Sequence, residues 1–336
     1  MRWTTRWTAG PRDERESMTR VLVTGATGFI GRTLVPALAH RGYRVRLALR
    51  RETARWPDFE NCVVGDINGA THWSAAMDGV DHVVHLAARV HVMQETASDP
   101  LAAFRATNVT GTHRLAVAAA AAGVKRFVHL SSVKALRDVS DGGPLDDETP
   151  PAPGTPYGLS KREAELALAD AARGSSLEAV SLRLPLVYGP GVEGNFRTLL
   201  DLCWQRRTLP LASVRNRRSL LFVGNLTDAI MKTLEAPGPL GGTYLICDRP
   251  AISTPALIRD IGETLGRRAR LVPFPTSGLK LAGTLLRQPG LVDRLLADLA
   301  IDDAALRHRL NWRSPYDLSA GLYETVMWYV KTQRGL

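Results

Sequence analysis

Apolar residues recur along the first half of the chain in short β-branched runs, separated by longer stretches of helical period. RVLVTG (20–25) is predicted as a strand ending in glycine, and FIGRTLVPALAHRG (29–42) as a helix closing at Gly42. Strands follow at 44–49 and 62–64, then a helix-like stretch at 73–77 and the strand DHVVHLAA (81–88). A long alanine-rich helix spans about 101–122 and is closed by Gly123. RFVHLSS (126–132) is a strand, 157–172 a helix, and LEAVSLRLP (177–185) a strand. The strands are apolar on both faces and alternate with helices. That pattern predicts an α/β fold with a doubly wound parallel sheet covered by helices on both sides.

After about Pro185 the rhythm loosens, prolines and glycines become frequent and strands sparse. We expect a dinucleotide-binding domain over 18–184. Residues 185–336 form mainly a smaller α/β substrate-binding lobe, with some segments returning to the sheet. Such a lobe sits at the carboxyl ends of the strands, where open α/β sheets bind ligands. Residues 1–17 show no apolar periodicity and no signal-peptide core, and are expected to be a flexible tail.

Composition narrows the picture. The chain has 336 residues, 45% of them hydrophobic, enough for a sizeable core. No apolar run approaches the roughly 18 residues of a membrane span, so integral membrane association is not expected. The apolar stretch 279–299 is broken by Arg287, Pro289, Asp293 and Arg294, and is expected to form core-packing helices rather than a membrane-surface segment. Three cysteines without pairing or metal spacing fit a reducing cytosol, hence a cytoplasmic location and no metal. The net charge is +10, but the basic residues are scattered without an aromatic platform. Nucleic acid is therefore not an expected partner, whereas an anionic nucleotide ligand accounts for part of the charge.

Candidate chemistry begins at TGATGFIG (24–31). Gly25 permits a tight turn, Gly28 lets backbone approach a pyrophosphate, and Gly31 lets helix and strand pack closely. Thr27 belongs to the same loop, and the amides near Phe29 and Ile30 point at phosphates from a helix N-terminus. This is the signature of a Rossmann-type dinucleotide site. YGLSK (157–161) then places Tyr157 and Lys161 on one helix face. A cationic lysine beside the phenol is expected to lower its pKa and make Tyr157 a usable acid or base. Ser132 closes an upstream strand on the ligand side and can hydrogen-bond the same oxygen.

TGATGFIG, GDI (65–67), HLAA (85–88), Asn108, LSS (130–132), YGLSK, RLPLVYGPG (183–191) and RRSLLFVGNLTDAI (217–230) occur in order. In this the chain resembles the extended short-chain dehydrogenases/reductases from Met18 to its C-terminus, with NWRSPYDLSAGL (311–322) similar to their closing segment. It is most similar to the nucleotide-sugar epimerases and 4-ketoreductases of the UDP-glucose 4-epimerase type. The resemblance implies that Ser132, Tyr157 and Lys161 are catalytic and that Lys161 holds the nicotinamide ribose. It implies that Asp66 and Ile67 flank adenine, and that His85, Ala87 and Ala88 lie on the strand beneath the cofactor. Val187 and Tyr188 would approach the nicotinamide or the sugar, and Asn195 and Arg218 the sugar nucleotide's diphosphate. Asn108 is either a cofactor contact or a structural tie in its helix. The helices at 101–122 and 157–172 resemble the pair that forms a four-helix homodimer interface in the family.

Two departures matter. Where the family's 4,6-dehydratases carry an acidic pair after the serine, this chain has Val133 and Lys134, so 4,6-dehydration is not expected. The strand at 44–49, about twenty residues past the glycines, usually ends in an acid that grips the ribose hydroxyls. Here it ends in Arg50 and Arg51. These either bind a 2′-phosphate through charge-assisted forks or stand as a solvated pair beside NAD. The first reading prefers NADP, with NAD possible. The expected function is NAD(P)H-dependent reduction of a UDP-4-keto-6-deoxy-(acetamido)hexose for surface polysaccharide. The alternatives are an NAD-dependent UDP-sugar 4-epimerase and, outside catalysis, an NAD(P)-binding sensor or scaffold, a type that commonly loses the tyrosine.

Overall fold

The computed structural model describes residues 19–90, 99–285 and 289–335. The expected tail at 1–17, and Arg287 of the stretch 279–299, lie outside these residues. The β-branched runs form strands β1 (Arg20–Thr24), β2 (Arg44–Leu49), β3 (Glu60–Val63), β4 (His82–His85), β5 (Arg126–Ser132) and β6 (Glu178–Leu184). Shorter strands follow: β7 (Leu186–Tyr188), β8 (Thr208–Leu209), β9 (Leu220–Phe222), β10 (Gly242–Leu245) and β11 (Arg270–Leu271). Seven of them make one parallel sheet in the order β10-β6-β5-β4-β1-β2-β3. The chain leaves β1 toward β2 and β3, then resumes at β4 on the other side of β1. That reversal opens a crevice beyond the carboxyl ends of β1 and β4, the switch point where such sheets bind ligands.

Helices α1 (Phe29–His40), α2 (Ser74–Met77), α3 (Pro100–Arg105), α4 (Thr112–Ala121), α5 (Pro156–Ala172), α6 (Gly194–Trp204) and α7 (Val223–Glu235) cover the sheet and begin the second lobe. On one face Leu34 and Leu38 of α1 pack with Ile230 and Leu234 of α7 against Val23, Leu47 and Val128. On the other, Leu115 and Ala119 of α4 and Leu168 of α5 pack on Leu22, Val83 and Phe127. Burying one such side chain contributes roughly 1.5–3 kcal/mol. Both β10 and α7 thus come from the second half of the chain and complete the sheet layers.

The predicted helix 101–122 is interrupted. Between α3 and α4 a single π-turn (Ala106–Gly111) inserts, a feature that recurs at functional sites. Asn108 within it bonds out of the helix, and a Cβ on Gly111 would stand 2.7 Å from Ile67 Cγ2.

The remaining helices are α8 (Thr254–Thr264), α9 (Thr276–Leu285), α10 (Pro289–Leu296), α11 (Ala304–Leu310) and α12 (Leu318–Gln333). A second core joins Phe196 and Leu200 of α6 to Ile258 and Ile261 of α8 and Val326 and Tyr329 of α12. The α9–α10 stretch meets the core-packing expectation on one side only. Leu279 and Leu296 pack against the second core, but Leu281 and Leu285 face solvent. Among the described residues no helix is long and apolar enough to cross a membrane, and no cluster of metal ligands occurs.

Candidate active site

The glycine turn after β1 is fixed by contacts that a side chain would break. Gly25 has φ +71°, and a Cβ there would lie 2.7 Å from the Ala87 amide nitrogen at the end of β4. A Cβ on Gly31 would lie 2.5 Å from the Gly25 carbonyl. Gly28 is the N-cap of α1, and no side chain caps that helix. The amides of its first turn, at Phe29 and Ile30, are therefore left for an anion, and Thr27 and Gly28 beside them are exposed. The turn is a cradle of the kind a pyrophosphate fills.

His85 supports this cradle from beneath. Its Nδ1 lies 2.7 Å from Thr24 Oγ1 and its Nε2 3.0 Å from Thr112 Oγ1, tying β4 to β1 and α4. Burial, with the Lys161 cation nearby, pushes its pKa down to about 3, so the ring is neutral. Thr24 Oγ1 in turn accepts the Ala87 N–H at 3.2 Å, which fixes the exit of the chain through Ala87 and Ala88. Asn108 takes the Arg89 N–H at 2.8 Å and donates to the Arg89 carbonyl and to Ser160 Oγ, both at 3.0 Å. Its amide is thus engaged in tying the post-β4 segment to α5. Just past β2, Arg50 and Arg51 are exposed, and Arg50 pairs with Asp66 at 3.6 Å. Ile67 packs against Gly111.

The candidate catalytic residues Ser132, Tyr157 and Lys161 meet through α5. Thr155 caps the helix by accepting the Gly158 N–H, and Pro156 sits in its first turn, so Tyr157 stands at the helix start. A Cβ on Gly158 would come 2.3 Å from the Lys134 carbonyl. Only glycine lets α5 close on the turn that follows Ser132. Tyr157 faces Ser132 and is edge-on to Phe104, with ring centroids 5.9 Å apart.

The pKa expectation for this group is corrected. Burial raises the Tyr157 phenol to about 12, and only the Ser132 hydrogen bond opposes the rise. Lys161 does not lower it, because the ammonium is turned to the Leu130 carbonyl, to which it donates at 2.7 Å. Burial pushes Lys161 itself down to about 8, with Glu165 raising it.

Glu165 went unrecognised in the sequence, although its spacing of four from Lys161 puts it on the same helix face. It is buried and takes two hydrogen bonds from Arg183 of β6, at 2.9 and 2.8 Å. It also accepts the Ser131 hydroxyl at 2.6 Å and pairs with Arg162. This network joins α5 to β5 and β6 directly behind Ser132 and Lys161.

In the second lobe β7 pairs with β9, Val187 opposite Leu221. Val187, Phe29 and Ile30 pack on the same core, which brings the lobe against the glycine turn. Asn195 is exposed at the start of α6. Arg218 is half-buried, donates to the Ala297 carbonyl at 3.2 Å and pairs through its backbone with Ile252. Tyr188 is a correction. It is fully buried, stacked on Phe196 at 5.1 Å, and a Cβ on Gly321 would meet its hydroxyl at 2.5 Å. The ring fills the second core and presents no surface to a sugar.

The family model described as "NAD dependent epimerase/dehydratase family" matches residues 21–247. The chain belongs to that family. This epimerase/dehydratase-family protein is 36% identical to a UDP-glucose 4-epimerase from Vibrio cholerae, over 95% of this chain and 98% of that one. It is 27% identical to a ceramide reductase from Caulobacter vibrioides, over 92% and 94% of the two chains. Among solved structures it is similar to MoeE5 in complex with UDP-glucuronic acid and NAD. The TM-score is 0.76 at 25% identity, covering 94% of this chain and all of that one. The protein is thus an enzyme of a family that works with NAD and includes nucleotide-sugar epimerases and dehydratases, built on the expected Rossmann-like sheet. A dinucleotide fits the glycine cradle, and when bound it supplies or takes up the hydride. Dehydratases also occur among the relatives. Here, however, Val133 is buried and Lys134 pairs with Asp138 at 3.4 Å, so neither acts as the acid or base of an elimination.

Proposed function

We propose that the protein reduces the C4 carbonyl of a UDP-4-keto-6-deoxy-(acetamido)hexose, with NADPH preferred over NADH, in the supply of sugars for surface polysaccharide. The observation that carries the reading is that Arg50 and Arg51 stand where an acid usually closes β2, with Tyr157 at the start of α5 beside the turn that follows Ser132. A reductase needs a proton donor at its resting state, and this phenol is one. Ser132 would position the carbonyl oxygen and Tyr157 would deliver the proton to it, leaving a phenolate that is reprotonated from solvent. Asn195 and Arg218 would take the diphosphate, and Val187 would line the nicotinamide side. Lys161 would also hold the nicotinamide ribose, with Asp66 and Ile67 beside the adenine. Arg50 and Arg51, with no acid at the end of β2, support the 2′-phosphate. The enzyme would work in the cytoplasm as a homodimer through α4 and α5, where Val117 and Leu166 are exposed.

The 36% identity to a UDP-glucose 4-epimerase favours a second reading, an epimerase that retains NAD. One assay separates them. Loss of reduced-nicotinamide absorbance with NADPH and a UDP-4-keto-6-deoxy-N-acetylhexosamine supports reduction. Interconversion of UDP-glucose and UDP-galactose without added cofactor would replace it with epimerisation.

A further inference from the structure

The second lobe carries a surface that neither core uses. β11 pairs in parallel with β8, Arg270 opposite Thr208 and Leu271 opposite Leu209. Beyond that ladder Val272 donates to the Leu209 carbonyl, and Ala212 to the Val272 carbonyl. The segments around 206–212 and 268–285 therefore form one continuous surface running into α9. Its inner side is anchored, since Leu209, Leu271 and Leu279 pack on the second core. Its outer side is not. Val272 is 41% exposed, Phe274 42%, Leu281 63% and Leu285 74%. These four of the ten exposed large hydrophobics of the described residues fall within fourteen residues of chain. Phe274 is held there, close enough that a Cβ on Gly278 would touch its ring at 2.6 Å.

Within the two segments that build this patch the charged residues have one sign, and exposed carboxylates return only at their edge, at Glu263 and Asp293. Residues 202–214 and 264–292 contain no Asp or Glu, although the chain as a whole has 33 in 336 residues. Arg206, Arg207, Arg268, Arg270 and Lys280 are all exposed. Aliphatic and aromatic side chains set among exposed arginines and a lysine match the surface of an anionic bilayer, where apolar groups enter the acyl boundary and cations sit at the headgroups. A second copy of the chain is disfavoured, because self-complementary pairing would set one cationic rim against the other. Nucleic acid is disfavoured because three of the four exposed apolar side chains, Val272, Leu281 and Leu285, are aliphatic and Phe274 is the one ring among them, too little for a row of stacked bases. With ten residues α9 is about 15 Å long, so it lies on a membrane and does not cross it.

We infer that the β8–β11 ribbon and α9 form a peripheral docking site for anionic phospholipid bilayers, with Phe274, Leu281 and Leu285 inserted and the arginines around them on lipid phosphates. The test is co-sedimentation of the full chain with vesicles of phosphatidylglycerol and phosphatidylcholine, against phosphatidylcholine alone. Binding is expected only with phosphatidylglycerol and is lost at high salt. The exposed double variants Leu281→Gln/Leu285→Gln and Arg268→Gln/Arg270→Gln, each with a wild-type circular dichroism spectrum, should bind less well, the latter by about thirty-fold. Equal sedimentation with both vesicle types, or double variants that bind like wild type, would overturn the inference. So would self-association in solution abolished by the same leucine substitutions.

Discussion

Lys161 on α5 donates to the carbonyl of Leu130 on β5 at 2.7 Å, one helical turn beyond Tyr157. The ammonium is buried, and burial holds its pKa near 8 while Glu165 raises it. Dinucleotide affinity should therefore fall as pH rises through about 8, where the charge is lost. Glu165→Gln removes the raising partner and should move that fall to lower pH, whereas Glu165→Asp should restore it in part. Fluorescence titration of NADPH across pH 6.5 to 9.5 (about three units around the transition) checks this. A pH-independent affinity would remove the Lys161 charge from binding.

Tyr157→Phe should leave dinucleotide binding nearly intact and lower turnover by about two to four orders of magnitude, the scale of a lost general acid. The phenol reaches Ser132 from the first turn of α5, so the phenyl ring keeps its packing against Phe104. Steady-state rates within tenfold of wild type would exclude Tyr157 as the proton donor.

Arg50 and Asp66 form an exposed ion pair, which is worth little by itself. Arg50→Asp should cost little stability yet shift the preference from NADPH toward NADH by about tenfold, or 1.4 kcal/mol. Comparing kcat/KM for both cofactors in wild type and variant decides it. A wild type that already prefers NADH rules out the 2′-phosphate role.

Arg218→Ala should weaken UDP binding while sparing the dinucleotide, since a charge-assisted phosphate contact contributes roughly 1.5–3 kcal/mol. Calorimetry with UDP reads the change. An unaltered dissociation constant would leave Arg218 with its bond to the Ala297 carbonyl and no ligand.

Acid should destabilise the fold through its buried histidines. The His85 ring is held near 3 and His129 well below its ordinary value, both by burial. Above about pH 6.5 neither state binds the proton. As pH falls below that, only the unfolded chain does, and stability is lost at up to about 1.4 kcal/mol per pH unit for each ring. Asp147 and Asp248, raised to about 6 by burial, take up protons in the folded state and offset part of this between pH 6 and their unfolded pKa. Tm should still decline from pH 7 to pH 5, and less steeply in His85→Gln. A flat wild-type profile would contradict it.

The sequence by itself determined what depends on short-range geometry. The βαβ order, the glycine turn, the start of α5 and the shared face of Tyr157 and Lys161 are set by periods of two and 3.6 residues and by the few backbone shapes glycine and proline select. The absence of an acid at the end of β2, and Val133–Lys134 in place of an acidic pair, are likewise legible residue by residue. What only the tertiary structure decided involves groups far apart in the chain. Lys161 could be seen to face the same way as Tyr157, but not that the Leu130 carbonyl claims its ammonium and leaves the phenol at about 12. Glu165 became legible only once β6 brought Arg183 to it, because a lone helical glutamate reads as a solvated residue until a buried cation meets it. The same holds for Asn108, whose π-turn exists to reach Arg89 and Ser160, and for Tyr188, whose motif suggested a ligand until Phe196 and Gly321 enclosed it. Local pattern specifies which way a side chain points from its own backbone. Desolvation and ion pairing depend on what stands opposite, and the packed fold alone supplies that.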